Sequence, residues 1–179
     1  SFVPVSNTTE TLVGGKRIVT VVDLGTSGVR MTQTFTLMDG ERFFTKDWTF
    51  ENLGETAIDS LKFYHGGDTY FGGEDAASGY YDAGKSMVYI SNARFENWGI
   101  MGFYSNPGTP ADHYFEGNYF TGYTYATEGE QLPDSVDSSY GDAGYYLEWT
   151  KSSLAAGASW SVQAYEVWTP GGPVQVLAP

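Results

Sequence analysis

The pattern of apolar and polar positions along the chain is that of β-strands. Val29, Met31, Gln33, Phe35 and Leu37 share one parity, and Arg30, Thr32, Thr34 and Thr36 the other, the alternation of a strand buried on one face. Asp39 and Gly40 follow, and a second alternating run over 41–51 passes through Phe44, Lys46, Trp48 and Phe50. An Asp-Gly pair between two such runs predicts a β-hairpin. Further strands are predicted over 16–24, 57–64, 86–91, 99–104, 145–150 and 159–168. Clusters of Gly, Pro, Asn, Asp and Ser separate them. No segment carries an apolar stripe of helical period and length, and 132–136 suffices only for a turn. The expectation is an all-β fold, an antiparallel β-sandwich with long loops rich in Gly, Tyr and Asp.

A chain of 179 residues suits one domain with a real core. We expect a single binding module over 1–168 and an extended connector over 169–179, TPGGPVQVLAP, with a linker-like start at 1–5. Ser1 opens without a charged or apolar leader, so the sequence reads as a mature or excised piece of a longer protein. Low charge density with many Tyr, Thr, Ser and Gly suggests an extracellular place on a bacterial surface.

Charge narrows the function. Nine basic against 22 acidic residues give −13, which argues against nucleic acid and anionic membranes as partners. No apolar run is long enough to insert into a membrane. With no cysteine, disulfides, thiolate zinc sites and cysteine nucleophiles are excluded. The acids cluster. No Lys or Arg lies between Arg94 and Lys151, a stretch holding acids from Glu96 to Glu148, and residues 65–82 carry Asp68, Glu74, Asp75 and Asp82 without a base. A solvated acidic surface explains such a stretch. For 65–82 we expect Ca²⁺ instead, because this ion takes six to eight oxygens from carboxylates, carbonyls and water. Asp68, Asp75 and Asp82 supply carboxylates, and Gly72, Gly73 and Gly79 let the chain fold back. The spacing is not that of an EF-hand, and an ordinary Gly-rich turn remains the alternative.

Catalysis finds little support. His65 and His113 are the two histidines, and neither accompanies a nucleophile elbow. With 22 acids, a carboxylate pair for glycoside chemistry has no specificity. No phosphate-binding loop occurs. We therefore expect no enzyme. Trp48, Trp149, Trp160 and Trp168 fall in alternating runs and are expected in the core. Trp98 lies between Asn97 and Gly99, and Tyr104, Asp112, His113 and Tyr114 share the Gly/Pro-rich country beyond it. Loop aromatics beside Asn, Gly and Asp are the materials of a binding surface.

Residues 65–82, together with GFYSNPGTPADHYFEGNY at 102–119 and DAGYYLEW at 142–149, resemble the peptide-binding domain of the large bacterial repeats-in-toxin (RTX) adhesins, which include ice-binding and biofilm adhesins. The resemblance implies calcium-stabilised folding, capture of short peptides or protein C-termini on a partner cell, and attachment and biofilm formation. It implies Asp68, Gly72, Gly73, Asp75 and Gly79 in the calcium loop, and Tyr104, Asp112, His113, Tyr114 and Asp142 around the groove. A terminal carboxylate is an awkward ligand for a chain of −13 unless a bound cation attracts it. The competing expectation is a calcium-dependent, lectin-like module that binds carbohydrate through Asn97, Trp98 and Asp112. A purely structural spacer is the third.

Overall fold

The computed structural model describes residues 1–92 and 99–169. Its elements, in chain order, are β1 (Phe2–Leu12), β2 (Gly15–Leu24), β3 (Val29–Met38), β4 (Phe43–Asn52), β5 (Ile58–Asp68), β6 (Ala76–Asp82), β7 (Met87–Ser91), β8 (Ile100–Ser105), β9 (His113–Asn118), α1 (Tyr119–Glu128), β10 (Gly141–Leu154) and β11 (Ser159–Thr169). The larger layer runs β1-β2-β3-β4-β11-β8-β7-β6, and the smaller sets β10 between β5 and β9. All these pairs are antiparallel. Gly141 and Asp142 of β10 also pair with Ala77 and Ala76 of β6, so the two layers are one sheet curled back on itself. The all-β sandwich is therefore as expected.

The Asp39-Gly40 hairpin forms, with β3 and β4 paired from Val29↔Asn52 to Thr36↔Thr45. Strands stand at each predicted run, with β5 extended to Asp68 and β10 beginning at Gly141. Three strands escape the pattern. Residues 1–5, expected as a linker-like start, mostly belong to β1, whose burial does not alternate because residues 2–9 are exposed on both faces. β6 and β9 lie in the Gly-rich stretches expected as loops.

The helix α1 is a further difference. Its sequence, YFTGYTYATE, is aromatic and β-branched and has no apolar stripe. The ends determine it instead. The Asn118 side chain accepts from Phe120 N at 3.1 Å, and Gly129 closes the helix in the left-handed region with φ 70°, caps worth about 1 kcal/mol at the N-terminus. Gly122 is its buried residue, and a Cβ there would fall 2.2 Å from the Tyr146 ring. The absence of a side chain is what lets α1 lie on β10.

The core joins the layers through rings. Trp48 and Phe50 of β4 meet Phe63 of β5 at 5.1 and 4.8 Å, Phe63 stacks on Trp149 of β10 at 5.6 Å, and Phe103 of β8 stacks on Tyr145 at 5.8 Å. Such pairs add about 0.5–1.5 kcal/mol each beyond their buried area. Trp48 and Trp149 are buried as expected. Trp160 packs on Phe50 and Trp168 on Phe44, both part-buried.

A polar network sits inside this aromatic wall. Lys46 of β4 forms an ion pair with Glu166 of β11, and the Tyr145 hydroxyl of β10 donates to the other Glu166 oxygen. Lys46 Nζ also donates to His65 Nε2 of β5 at 3.0 Å and lies about 5 Å from the ring centres of Phe35, Phe44 and Phe103. Burial pulls the Lys46 pKa down against the opposing pull of Glu166. Burial, then the Lys46 charge, pushes His65 well below the ordinary 6.5, so His65 is neutral and accepts the lysine proton.

Two outcomes follow for stability. Glu166→Gln keeps an acceptor for Tyr145 but leaves the lysine charge uncompensated, and urea unfolding is expected to show a loss of about 3 kcal/mol, largely recovered in Lys46→Met/Glu166→Gln. The His65 pKa is depressed on folding, so its contribution is intact above pH 6.5 and is lost as pH falls below it. His65→Gln should flatten the fall in melting temperature on that acidic side.

Candidate functional site

Strand β10 builds the site with its first residues. Gly144 pairs with Asp68 at the end of β5, and Asp142 pairs with Ala76 at the start of β6. The chain between, 69–75, must cross from one neighbour to the other in a few residues. Thr69 anchors it, with N and Oγ1 both donating to Ala143 O at 3.0 and 2.6 Å. Phe71 and Glu74 then form a two-way backbone bridge around Gly72 and Gly73, whose φ values of 69° and 86° suit a tight hairpin. As a result Asp68, Asp75 and Asp142 converge, with a carboxylate oxygen from each lying within 4.8 Å of the others.

All three are exposed. The Asp68 pKa is raised, first by partial burial and then by the charges of Asp75 and Asp142, against a bond from the Thr69 N–H. Mutual repulsion of this kind is relieved by a cation. An all-oxygen donor set without His or Cys suits a hard ion, Ca²⁺ before Zn²⁺. The donors fit Ca²⁺ in type, and carbonyls and water would complete its shell.

The expected calcium loop is thus split. Asp68 and Asp75 belong to the cluster, and Asp142, expected around the groove, joins them. Gly72 and Gly73 serve the turn. Asp82 stands elsewhere, with its Oδ1 accepting from Gly84 N and Lys85 N at 2.9 and 3.3 Å in the β6–β7 turn. Gly79 is buried in β6, and a Cβ there would collide with the Glu116 carboxyl.

Two cavities flank β9. The first, about 250 Å³, adjoins the acidic corner through Asp142 and is lined also by Glu116, Asn118, Asp137, Ser139 and Tyr140, without Lys, Arg or His. Glu116 accepts from Asp137 N at 3.1 Å, and burial lifts its pKa from 4.5 to about 7. The second, about 300 Å³, gathers Asp112, His113 and Tyr114 with Tyr81, Ser86 and Asp134. There His113 Nδ1 meets Asp134 Oδ2 at 2.9 Å, Tyr114 stacks flat on Tyr81 at 4.1 Å, and Asp112 Oδ2 accepts from Thr150 N and Oγ1 at 2.7 and 2.8 Å. The segment bearing Asp134 and Asp137 borders both cavities. It is fastened by Glu148, whose buried Oε2 accepts from Leu132 N at 2.8 Å, while Lys62 Nζ bonds Gly129 O at 2.9 Å and lies 3.6 Å from Glu148 Oε1.

The expected groove residues therefore do not form one groove. Asp142 borders the first cavity and Asp112, His113 and Tyr114 the second. Tyr104 is buried against Tyr165 at 5.2 Å, where a ligand would have to open the core to reach it. Trp98, with Glu96 and Asn97, lies outside the described residues, as do 170–179 of the expected connector. Sequence reasoning missed Glu116, Asn118, Asp134, Asp137 and Tyr140 as cavity residues. The base-free stretch was their one signal, and it marks a region without selecting positions.

No protein-family model matches the sequence, and no curated protein matches it. The fold is similar to solved structures. The GH36 α-galactosidase AgaA from Geobacillus stearothermophilus matches 96% of this chain over 28% of its own at 11% identity, with a TM-score of 0.52. A putative aldose 1-epimerase from Klebsiella pneumoniae matches 89% of this chain over 52% of its own at 9% identity, with a TM-score of 0.51. A bacterial glucoamylase complexed with acarbose matches 90% over 23% at 12% identity, with a TM-score of 0.50. The chain spans a quarter to a half of these proteins, and the likeness is one of fold. No helix among the described residues is long and apolar enough to cross a membrane.

Glu116 yields a pH outcome. Its pKa is raised on folding, so its contribution to stability is full below about 4.5 and is lost as pH rises towards about 7. Glu116→Gln is expected to abolish this decline, measured as melting temperature against pH, while leaving the opposite slope from His65.

Proposed function

We propose that this domain is a non-catalytic, calcium-dependent recognition module of an extracellular surface protein, and that its ligand is a hydroxyl-rich carbohydrate held at the cavity beside the acidic corner. The observation that carries the reading is the convergence of Asp68 and Asp75 on Asp142, which also lines a cavity formed by carboxylates, Asn118, Ser139 and Tyr140 without a base. A neutral polyol meets no repulsion from these groups, offers donors to the carboxylates, and can share its hydroxyl oxygens with Ca²⁺. The sandwich likeness to the α-galactosidase and the epimerase agrees with this ligand class. Glu116, with its raised pKa, is the residue nearest in character to a general acid. Its carboxyl is turned against Gly79 and occupied by the Asp137 N–H, which suits a structural part.

The resemblance to RTX adhesins supports a second reading, in which the module captures peptides or protein C-termini on a partner cell for attachment and biofilm formation. One observation favours it. A cation at the acidic corner would be the positive centre that a terminal carboxylate needs in this base-free region.

Calcium is tested first. Adding Ca²⁺ to chelator-treated protein is expected to raise the melting temperature by several degrees, by mass action on the folded state, and Asp75→Asn should remove most of the rise. Absence of any shift sinks both readings. A glycan array and matched free-acid and C-terminally amidated peptides, each with Ca²⁺ and with chelator, then separate the ligands. Glycan binding lost with chelator supports the first reading. Preference for the free acid supports the second.

A further inference from the structure

Strand β1 ends the larger sheet with no strand against its outer edge among the described residues. We propose that this edge is a self-association surface, at which two copies of the chain pair β1 to β1, antiparallel, over residues 6–12 about a two-fold axis at Thr9.

An unpaired edge strand presents a row of backbone donors and acceptors to any strand that fits. Natural edges are blunted by prolines, bulges and charges. Here Pro4 and the register shift between Pro4 and Ser6 defend only the first part of β1. Residues 6–12 run in regular register with β2, and their one charge, Glu10, is already matched by Arg17.

Charge tells which partner suits the edge. Residues 1–38 hold Lys16, Arg17 and Arg30 against Glu10 and Asp23, a formal +1, which leaves −14 of the total −13 on the remainder. Two copies of so acidic a chain repel one another over most of their surface. The β1–β3 wing is where they can approach without that penalty.

Self-complementarity supports the same partner. The regular segment is centred on Thr9, so its longest antiparallel self-pairing puts Thr9 opposite Thr9 of the second copy. Glu10 then faces Thr8 and not its own copy, and Asn7 faces Thr11. Polar and hydroxyl pairs stabilise cross-strand neighbours, whereas like charges opposite each other would not. Phe2, Ile18 and Leu37, 70%, 46% and 43% exposed, lie on the wing face that continues the core side of the sheet, and joining two wings makes that face continuous across both copies.

The test is sedimentation velocity of the full chain from nanomolar to high micromolar concentration, with Thr9→Lys and Thr9→Glu. Thr9 is exposed, so both variants should fold, which circular dichroism checks. The wild type is expected to move from one chain to two as concentration rises. Each variant sets like charges face to face at the axis and should weaken association by about tenfold or more, and an equimolar mixture of the two should restore pairs. A wild type that stays a single chain at the highest concentration overturns the proposal. So does unaltered pairing of Thr9→Lys, which would place the contact elsewhere, or growth beyond two chains, which a two-fold edge contact forbids.

Discussion

The ion pair between Lys46 and Glu166, with the Tyr145 hydroxyl and the His65 ring attached, is the constraint on which the rest of the sandwich depends. Its four members come from β4, β5, β10 and β11, two strands of each layer. Apolar rings on either side set how far apart the layers stand but tolerate sliding. A lysine that must reach a carboxylate, which must in turn accept a phenol, does not. The network therefore fixes the register of β5–β10 over β4–β11, at a desolvation cost that the surrounding rings Phe35, Phe44 and Phe103 partly offset.

That register propagates to the acidic corner. Tyr145 is three residues beyond Asp142, so the strand that the network holds from within also delivers an aspartate to the rim. β5 contributes in parallel, since His65 lies three residues before Asp68. Two members of the inner network, His65 and Tyr145, and two of the three outer carboxylates, Asp68 and Asp142, therefore share the same two strands, which gives the acidic corner a rigid base.

Much of this architecture was legible in the sequence, and for identifiable reasons. β3 and β4 alternate cleanly because one face meets the smaller layer and the other meets water, and Asp39-Gly40 marks the turn between them. β1 was hidden because neither of its faces is covered, and β9 because its Gly117, Asn118 and charged positions serve cavities rather than a core. α1 was hidden because caps and the vacant space at Gly122 specify it, not periodicity. At the site, the type of chemistry was readable from Asp68 and Asp75 beside two glycines. The third carboxylate was not readable as a partner, because Asp142 meets them only through strand pairing across a long stretch of chain. Asp82 looked equivalent by spacing but is occupied with its own turn.

The fastening at Glu148 has a consequence for how the two cavities relate. Leu132 is pinned from beneath, and the few residues that follow it present Asp134 to one cavity and Asp137 to the other. The cavities are thus neighbouring rooms with a party wall, held at one end by the buried Glu148 and along its length by backbone bonds to Tyr114 and Glu116 of β9 and Gly79 of β6. Whatever displaces that wall on one side changes the dimensions of the room on the other.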